Sequence, residues 1–207
     1  MRRRGVKNWL EKACINSPLH RLELRKWTRL LLRLGGSAQG GSVLEIGCGR
    51  GMGVDILFGE FGAASVEAFD YDPGQVRLAR KRLTSRYGDR VKVYEGSATE
   101  IPSPEGRFDA VFSLGVLHHV PDNEAAMREV ARVLKPGGRF FFQEPLASVT
   151  RNPVFHLLFG DVPEAQFTWN ELSEKLGRAG LDVSEGSCVV GRMWAVGVAR
   201  KAPVPPA

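Results

Sequence analysis

The residue types best able to do chemistry gather in Val43-Leu44-Glu45-Ile46-Gly47-Cys48-Gly49-Arg50-Gly51-Met52-Gly53. Four glycines alternate behind a short apolar run, and glycine both reaches positive φ and lets a ligand approach the backbone closely. Two phosphate-binding patterns fail here. G-x-G-x-x-G breaks at Met52 when counted from Gly47 and at Val54 when counted from Gly49, and no Gly-Lys-Ser/Thr follows. Glu45, just before the turn, repels a pyrophosphate but suits a cationic ligand. Asp70 stands 19 residues after Gly51, where an acid at the end of a second strand can accept both hydroxyl protons of a ribose. The glycines could instead serve packing alone, and Asp70 could be a turn residue, although Asp72 already fills the helix-cap position.

A nucleoside with a cationic, phosphate-free tail describes S-adenosylmethionine. Three titratable residues beyond the turn, His118, His119 and Glu144, each follow a strand end and are candidate general bases for an acceptor that must lose a proton. Adjacent histidines cannot easily face the same way, so at most one is expected to reach a substrate.

These residues need a scaffold, and short β-rich runs alternating with helical patterns supply one. Strands are expected at Val43–Ile46, Ser65–Phe69, Val91–Tyr94, Ala110–Ser113 and Arg139–Gln143. Helices are expected over Met52–Phe61, after Asp72-Pro73-Gly74-Gln75 as a capping box, over Asp122–Leu134, and from the Thr168-Trp169-Asn170-Glu171 box to Gly180. Such alternation implies an α/β fold with a mostly parallel sheet covered on both faces. Asp182–Val189 and Met193–Ala199 are joined too tightly for a crossover and should form an antiparallel hairpin at the sheet edge. Ligands then sit beyond the carboxyl ends of the strands, where strand order reverses.

The chain has 207 residues, enough for one sizeable domain, with 43% apolar and 25% charged residues. No apolar run approaches a membrane span, and no signal-peptide core follows Arg2–Arg4. Three distant cysteines, Cys14, Cys48 and Cys188, point to a reducing cytoplasm rather than a disulfide framework or zinc site. The net charge of +6 is uneven: residues 1–40 hold ten basic residues against Glu11 and Glu23, so the remainder is slightly acidic. Within that arm Pro18–Leu34 reads as an amphipathic helix, with Arg21, Arg25, Arg29 and Arg33 on one side and Leu24, Trp27, Leu31 and Leu34 on the other. A lid, a peripheral membrane contact and a nucleic-acid contact are its three readings. No RNA-binding module is visible, and no nucleic-acid partner is expected.

VLEIGCGRG, AFDYDP, EGSATEIP, FDAVFSLGVLHHVPD and EVARVLKPGGRFFFQEP, in that order over residues 41–145, resemble a class I S-adenosylmethionine-dependent methyltransferase. The likeness is to the type-11 small-molecule group that includes the ubiquinone/menaquinone methylases. It implies a Rossmann-like, three-layer α/β/α fold whose seven-stranded, mostly parallel sheet has an antiparallel last strand. It also implies a cofactor site of Glu45, Gly47, Cys48, Gly49, Gly51, Asp70, Tyr71, Ser97, Ala98, Ser113 and Leu114. The chain departs from the family at Ser97, which stands where an Asp usually holds the adenine amino group.

The organisation expected is a basic arm or lid (1–40), a methyltransferase domain (41–201) with a substrate-cover insertion (146–169), and a disordered tail (202–207). The cover is rich in Phe155, Leu157, Leu158, Phe159, Phe167 and Trp169, which would wall an apolar pocket or simply pack on the sheet. The expected reaction is in-line methyl transfer to a small apolar or aromatic acceptor. An RNA or protein methylase using the arm, and a regulatory module that binds the cofactor without turnover, are the alternatives. No Asn/Asp-Pro-Pro-aromatic motif occupies Ser113-Leu114-Gly115-Val116; Asn152-Pro153-Val154-Phe155 is not one either, and no metal site is evident.

Overall fold

A computed structural model describes residues 18–151, 166–184 and 187–203. Five strands carry the apolar runs of the centre: β1 (Ser42–Ile46), β2 (Ser65–Asp70), β3 (Val91–Glu95), β4 (Phe108–Leu114) and β5 (Leu134–Pro145). The runs are most continuous in β4 and the second half of β5, where both faces are buried, and alternating in the edge strand β3. Alternate residues of each strand enter opposite cores. Val43, Ala68, Phe112 and Phe141 face one core, and Leu44, Phe69, Val111 and Phe142 the other.

Helices α1 (Pro18–Gly35), α2 (Met52–Gly59) and α3 (Pro73–Tyr87) cover the first face. The second is covered by α4 (Asn123–Val133) and α6 (Trp169–Arg178), while the one-turn α5 (Ala147–Thr150) follows β5 directly. Helix ends follow local chemistry. Asp72 caps α3 by accepting the N–H groups of Gly74 and Gln75, with Pro73 at the first position. Gln75 does not complete the expected box; its Oε1 is buried without a partner. Thr168 and Glu171 form the reciprocal box that opens α6.

The sheet runs β3-β2-β1-β4-β5-β8-β6, where β6 is Leu181–Asp182 and β8 is Trp194–Lys201, and β7 (Cys188–Val190) also pairs with β8. β1 to β5 are parallel and β8 is antiparallel to β5. The expected hairpin strand is two short pieces on one edge of β8, because three more residues lie between Asp182 and Cys188 than between their partners Arg200 and Gly197. Strand order reverses between β1 and β4, which opens a crevice above their carboxyl ends.

The stripe expected on the basic helix is its packing face. Leu24 and Leu31 are buried against the sheet, the Trp27 and Trp194 rings are 6.1 Å apart, and a Cβ on Gly35 would collide with Phe141 and Val198. Arg139 binds the carbonyls of Gly35 and Ser37. The exposed Arg25 and Arg29 lie 3.6 and 3.8 Å from Glu60. Among the described residues no helix is long and apolar enough to cross a membrane.

Candidate functional site

The turn after β1 is held from three sides. Cys48 donates its N–H to the Phe69 carbonyl, and Gly49 donates to Asp70 Oδ2 at 2.8 Å. Asp70 Oδ1 accepts the Asp72 N–H at 2.9 Å, so one carboxylate ties the end of β2 to the glycine turn. Each oxygen retains a lone pair for a ribose hydroxyl. From α3, Arg82 reaches the carbonyls of Arg50 and Gly51 and pairs with Asp55 at 2.6 Å. Sequence reading missed Arg82, because its partners are 31 and 32 residues away and nothing distinguishes it from the other arginines of α3.

Gly47, at φ +69°, sits against the turn that follows β4, and a Cβ there would lie 2.5 Å from Val116 Cγ2. Gly49, at φ +54°, is the opposite case, with open space where its Cβ would be. Space for a ligand is therefore open on the Cβ side of Gly49, whereas that side of Gly47 is filled by Val116.

Glu45 lies beneath the turn, with Oε1 packed so closely on α2 that a Cβ at position 53 would displace it. Its Oε2 is buried and has no hydrogen-bond partner. Burial pushes this carboxyl up to about 8, with the charges of Asp70 and Asp55 adding and Arg82 opposing. Arg82 does not reach the orphaned oxygen, and a cationic ligand tail above it would supply the missing partner. Burial, with Glu45 and Asp70 nearby, likewise drives the Cys48 thiol far up, which keeps it neutral and no nucleophile.

The remaining cofactor candidates flank this turn. Tyr71 is 69% exposed beside Asp70, an available face for a base. Ser97 Oγ lies 2.8 Å from Thr99 Oγ1, and the Ala98 side chain is buried. Ser113 is fully buried and its hydroxyl donates to Glu144 at 3.3 Å, which leaves its backbone and the half-buried Leu114 at the end of β4.

Glu144, at the end of β5, is also fully buried. Its Oε1 accepts the N–H groups of Val116 (3.0 Å) and Leu117 (2.9 Å), and its Oε2 lies 2.8 Å from His118 Nδ1. With backbone N–H groups directed at both oxygens the carboxylate is the acceptor, so Nδ1 donates to it and Nε2 is the ring nitrogen left outside the pair. The two histidine rings do not diverge. A 3₁₀ turn over Leu117–His119 brings them to 4.0 Å.

Glu45 and Asp70 face the α1–α3 side of the sheet, whereas Glu144 and His118 face the α4–α6 side. The two groups meet through Gly47 and Val116. Of the expected cover, Phe167 and Trp169 pack in the core beside Phe142. Phe155, Leu157, Leu158 and Phe159, together with Asn152–Phe155 and Arg2–Arg4, lie outside the described residues.

A doubly wound sheet, a glycine turn at its switch point and a strand-two acid define a nucleoside-binding α/β domain. Residues 44–142 match the family described as a methyltransferase domain, and this match with the relatives below supports a class I S-adenosylmethionine-dependent methyltransferase. It is 32% identical over 153 residues to a protein of Mycolicibacterium smegmatis named a probable S-adenosylmethionine-dependent methyltransferase, covering 74% of this chain and 56% of the relative. It is 34% identical over 148 residues to a ubiquinone biosynthesis O-methyltransferase of Xanthomonas oryzae pv. oryzae (70% and 57%). A crystal structure of a SAM-dependent methyltransferase from Aquifex aeolicus shares the fold with a TM-score of 0.72 at 24% identity, over 93% of this chain and 97% of that one. The chain spans about half the length of the curated relatives it matches.

Proposed function

We propose that the chain transfers the methyl group of S-adenosylmethionine to a hydroxyl of a small apolar or aromatic acceptor, with His118 as general base and Glu144 as its positioning residue. The observation that carries this reading is the Glu144–His118 pair at 2.8 Å, set one turn of chain from the glycine loop. A carboxylate that fixes one imidazole nitrogen directs the other at a proton to be removed. Two features support the oxygen acceptor: hydroxyls need such a base, and the relative from Xanthomonas oryzae is named an O-methyltransferase. The cysteine pattern supports a cytoplasmic setting.

Bound S-adenosylmethionine supplies an already activated methyl group, so the protein's task is alignment and exclusion of water. Asp70 holds the ribose hydroxyls while fixing Gly49. Glu45 balances the positive tail from below. The Val116–His119 turn, clamped by Glu144, fixes the height of the imidazole above the sheet. His118 then takes the acceptor proton at Nε2 as the hydroxyl oxygen approaches in line.

The test is methyl transfer from isotopically labelled S-adenosylmethionine to a panel of phenols, hydroxylated lipophiles, amines and polar metabolites. Turnover of phenols or hydroxylated lipophiles is the expected result. Turnover confined to polar acceptors, or N-methyl products alone, would overturn the reading.

A further inference from the structure

The strand ends that carry the cofactor site form a line, β3, β2, β1 and β4. Glu45, on β1, marks the end of that line for a cationic tail, and Asp70, on β2, marks the ribose. The base of the same nucleoside must then lie toward β3, because the opposite direction is taken by the tail. Backbone continuity supports this direction, since the Gly96 N–H donates to the Asp70 carbonyl at 3.2 Å and leads straight into Ser97-Ala98-Thr99. Tyr71, next in the chain after Asp70, is exposed.

Two hydroxyls, Ser97 Oγ and Thr99 Oγ1, lie 2.8 Å apart there, and the Thr99 N–H donates to Ser97 Oγ at 3.2 Å. Glu95 and Glu100, the acids of this segment, are exposed. Either hydroxyl can be the donor of the shared bond. In both arrangements one O–H proton remains to be donated outward and oxygen lone pairs remain to accept. An ionised carboxylate, by contrast, only accepts.

We propose that Ser97 and Thr99 form a base-reading pair that serves an exocyclic amine and an exocyclic carbonyl alike, so that this chain takes adenine and hypoxanthine nucleoside thioethers with similar affinity. The amine of adenine donates to the pair, and the carbonyl of hypoxanthine accepts from it. Rejection of a base analogue is strong where a buried polar group is left unpaired, and a pair able to reverse its direction keeps the exocyclic group of either base paired.

The proposal rests on the S-adenosylmethionine reading of the site, and the experiment separates the two. Binding of S-adenosylhomocysteine and S-inosylhomocysteine to the full chain is measured by calorimetry for wild type, Ser97→Asp and Ser97→Ala. The expected dissociation constants in wild type agree within about tenfold, the scale of one neutral hydrogen bond. Ser97→Asp, which installs an acceptor only, opens the gap to about a hundredfold or more in favour of the adenine ligand. Ser97→Ala weakens both ligands by a similar factor. A wild-type preference beyond tenfold, an unchanged ratio in Ser97→Asp, or a ratio moved tenfold by Ser97→Ala would overturn the base-reading pair while leaving the cofactor reading intact. Failure of S-adenosylhomocysteine to bind wild type would overturn both.

Discussion

Glu144 Oε2 lies 2.8 Å from His118 Nδ1, and Glu144 accepts four further hydrogen bonds, from Ser113 Oγ and the backbone N–H groups of Val116, Leu117 and His118. A carboxylate so fully used cannot leave its place to take a proton from a substrate. It builds the turn and sets the histidine. Replacing it by Gln puts an NH₂ group against N–H donors in a buried site, a cost of about 3 kcal/mol by the usual penalty for an unmatched buried group. Glu144→Gln is therefore expected to lower the melting temperature and the turnover together.

His118→Asn separates chemistry from architecture. Asn keeps a polar side chain beside Glu144 but has no base nitrogen, so S-adenosylhomocysteine affinity should stay within a few-fold of wild type. Turnover should fall by about 10²–10⁴, the range of general-base catalysis. A variant with normal turnover would show that the acceptor needs no base from this chain.

Asp70 is expected to have two separable effects. It ties Gly49 to Asp72 through both oxygens and offers the same oxygens to a ribose. Asp70→Ala should weaken S-adenosylhomocysteine by about 30-fold or more, as the loss of charged hydrogen bonds implies. It should also destabilise the free protein by about 1–2 kcal/mol. Calorimetry and thermal melting read the two effects independently, and unchanged affinity would place the nucleoside elsewhere.

What was legible beforehand was whatever local chemistry specifies. Thr168 and Glu171 are three residues apart and announce their capping box. The glycines after β1 and the acid after β2 are readable because a parallel α/β fold fixes where strand ends point. Arg82 was not, since only folding brings α3 over Gly51. Nor could the sequence show that Glu144 would be claimed by backbone N–H groups up to 28 residues distant, or that the histidine ring centroids would lie 4.0 Å apart. The division of the last edge into β6 and β7 depends on three extra residues that pairing with β8 leaves out, a register effect without local signature.

Gly47 links the two halves of the site through Val116, and its substitution should expose two additive penalties. Gly47→Ala meets a backbone at φ +69° and a methyl carbon at 2.5 Å. The first costs roughly 1–2 kcal/mol and the second roughly 1–3 kcal/mol. Adding Val116→Ala should recover the steric part and leave the backbone part. A double-mutant cycle by chemical denaturation reads the coupling, and a coupling of zero would mean that the turns after β1 and β4 move apart freely.

Glu45 predicts a proton coupled to cofactor binding. Its carboxyl, near 4.5 when free, is pushed to about 8 in the fold by burial and by Asp70 and Asp55. Between those values the folded chain holds a proton that the unfolded chain has lost. Stability from this group is thus complete below about pH 4.5 and declines as pH rises toward 8, by at most about 1.4 kcal/mol per pH unit. A positive charge placed over Oε2 favours the ionised form, so ligand binding near pH 7 should release a proton that Glu45 holds in the free protein. Titrations with S-adenosylmethionine in buffers of different ionisation enthalpy should show release approaching one proton at pH 7, little at pH 9, and none in Glu45→Gln at either pH. The same variant should flatten the fall in stability between pH 5 and 8. Equal proton release in wild type and Glu45→Gln would assign the proton to another group and remove the reason for placing the cationic tail above β1.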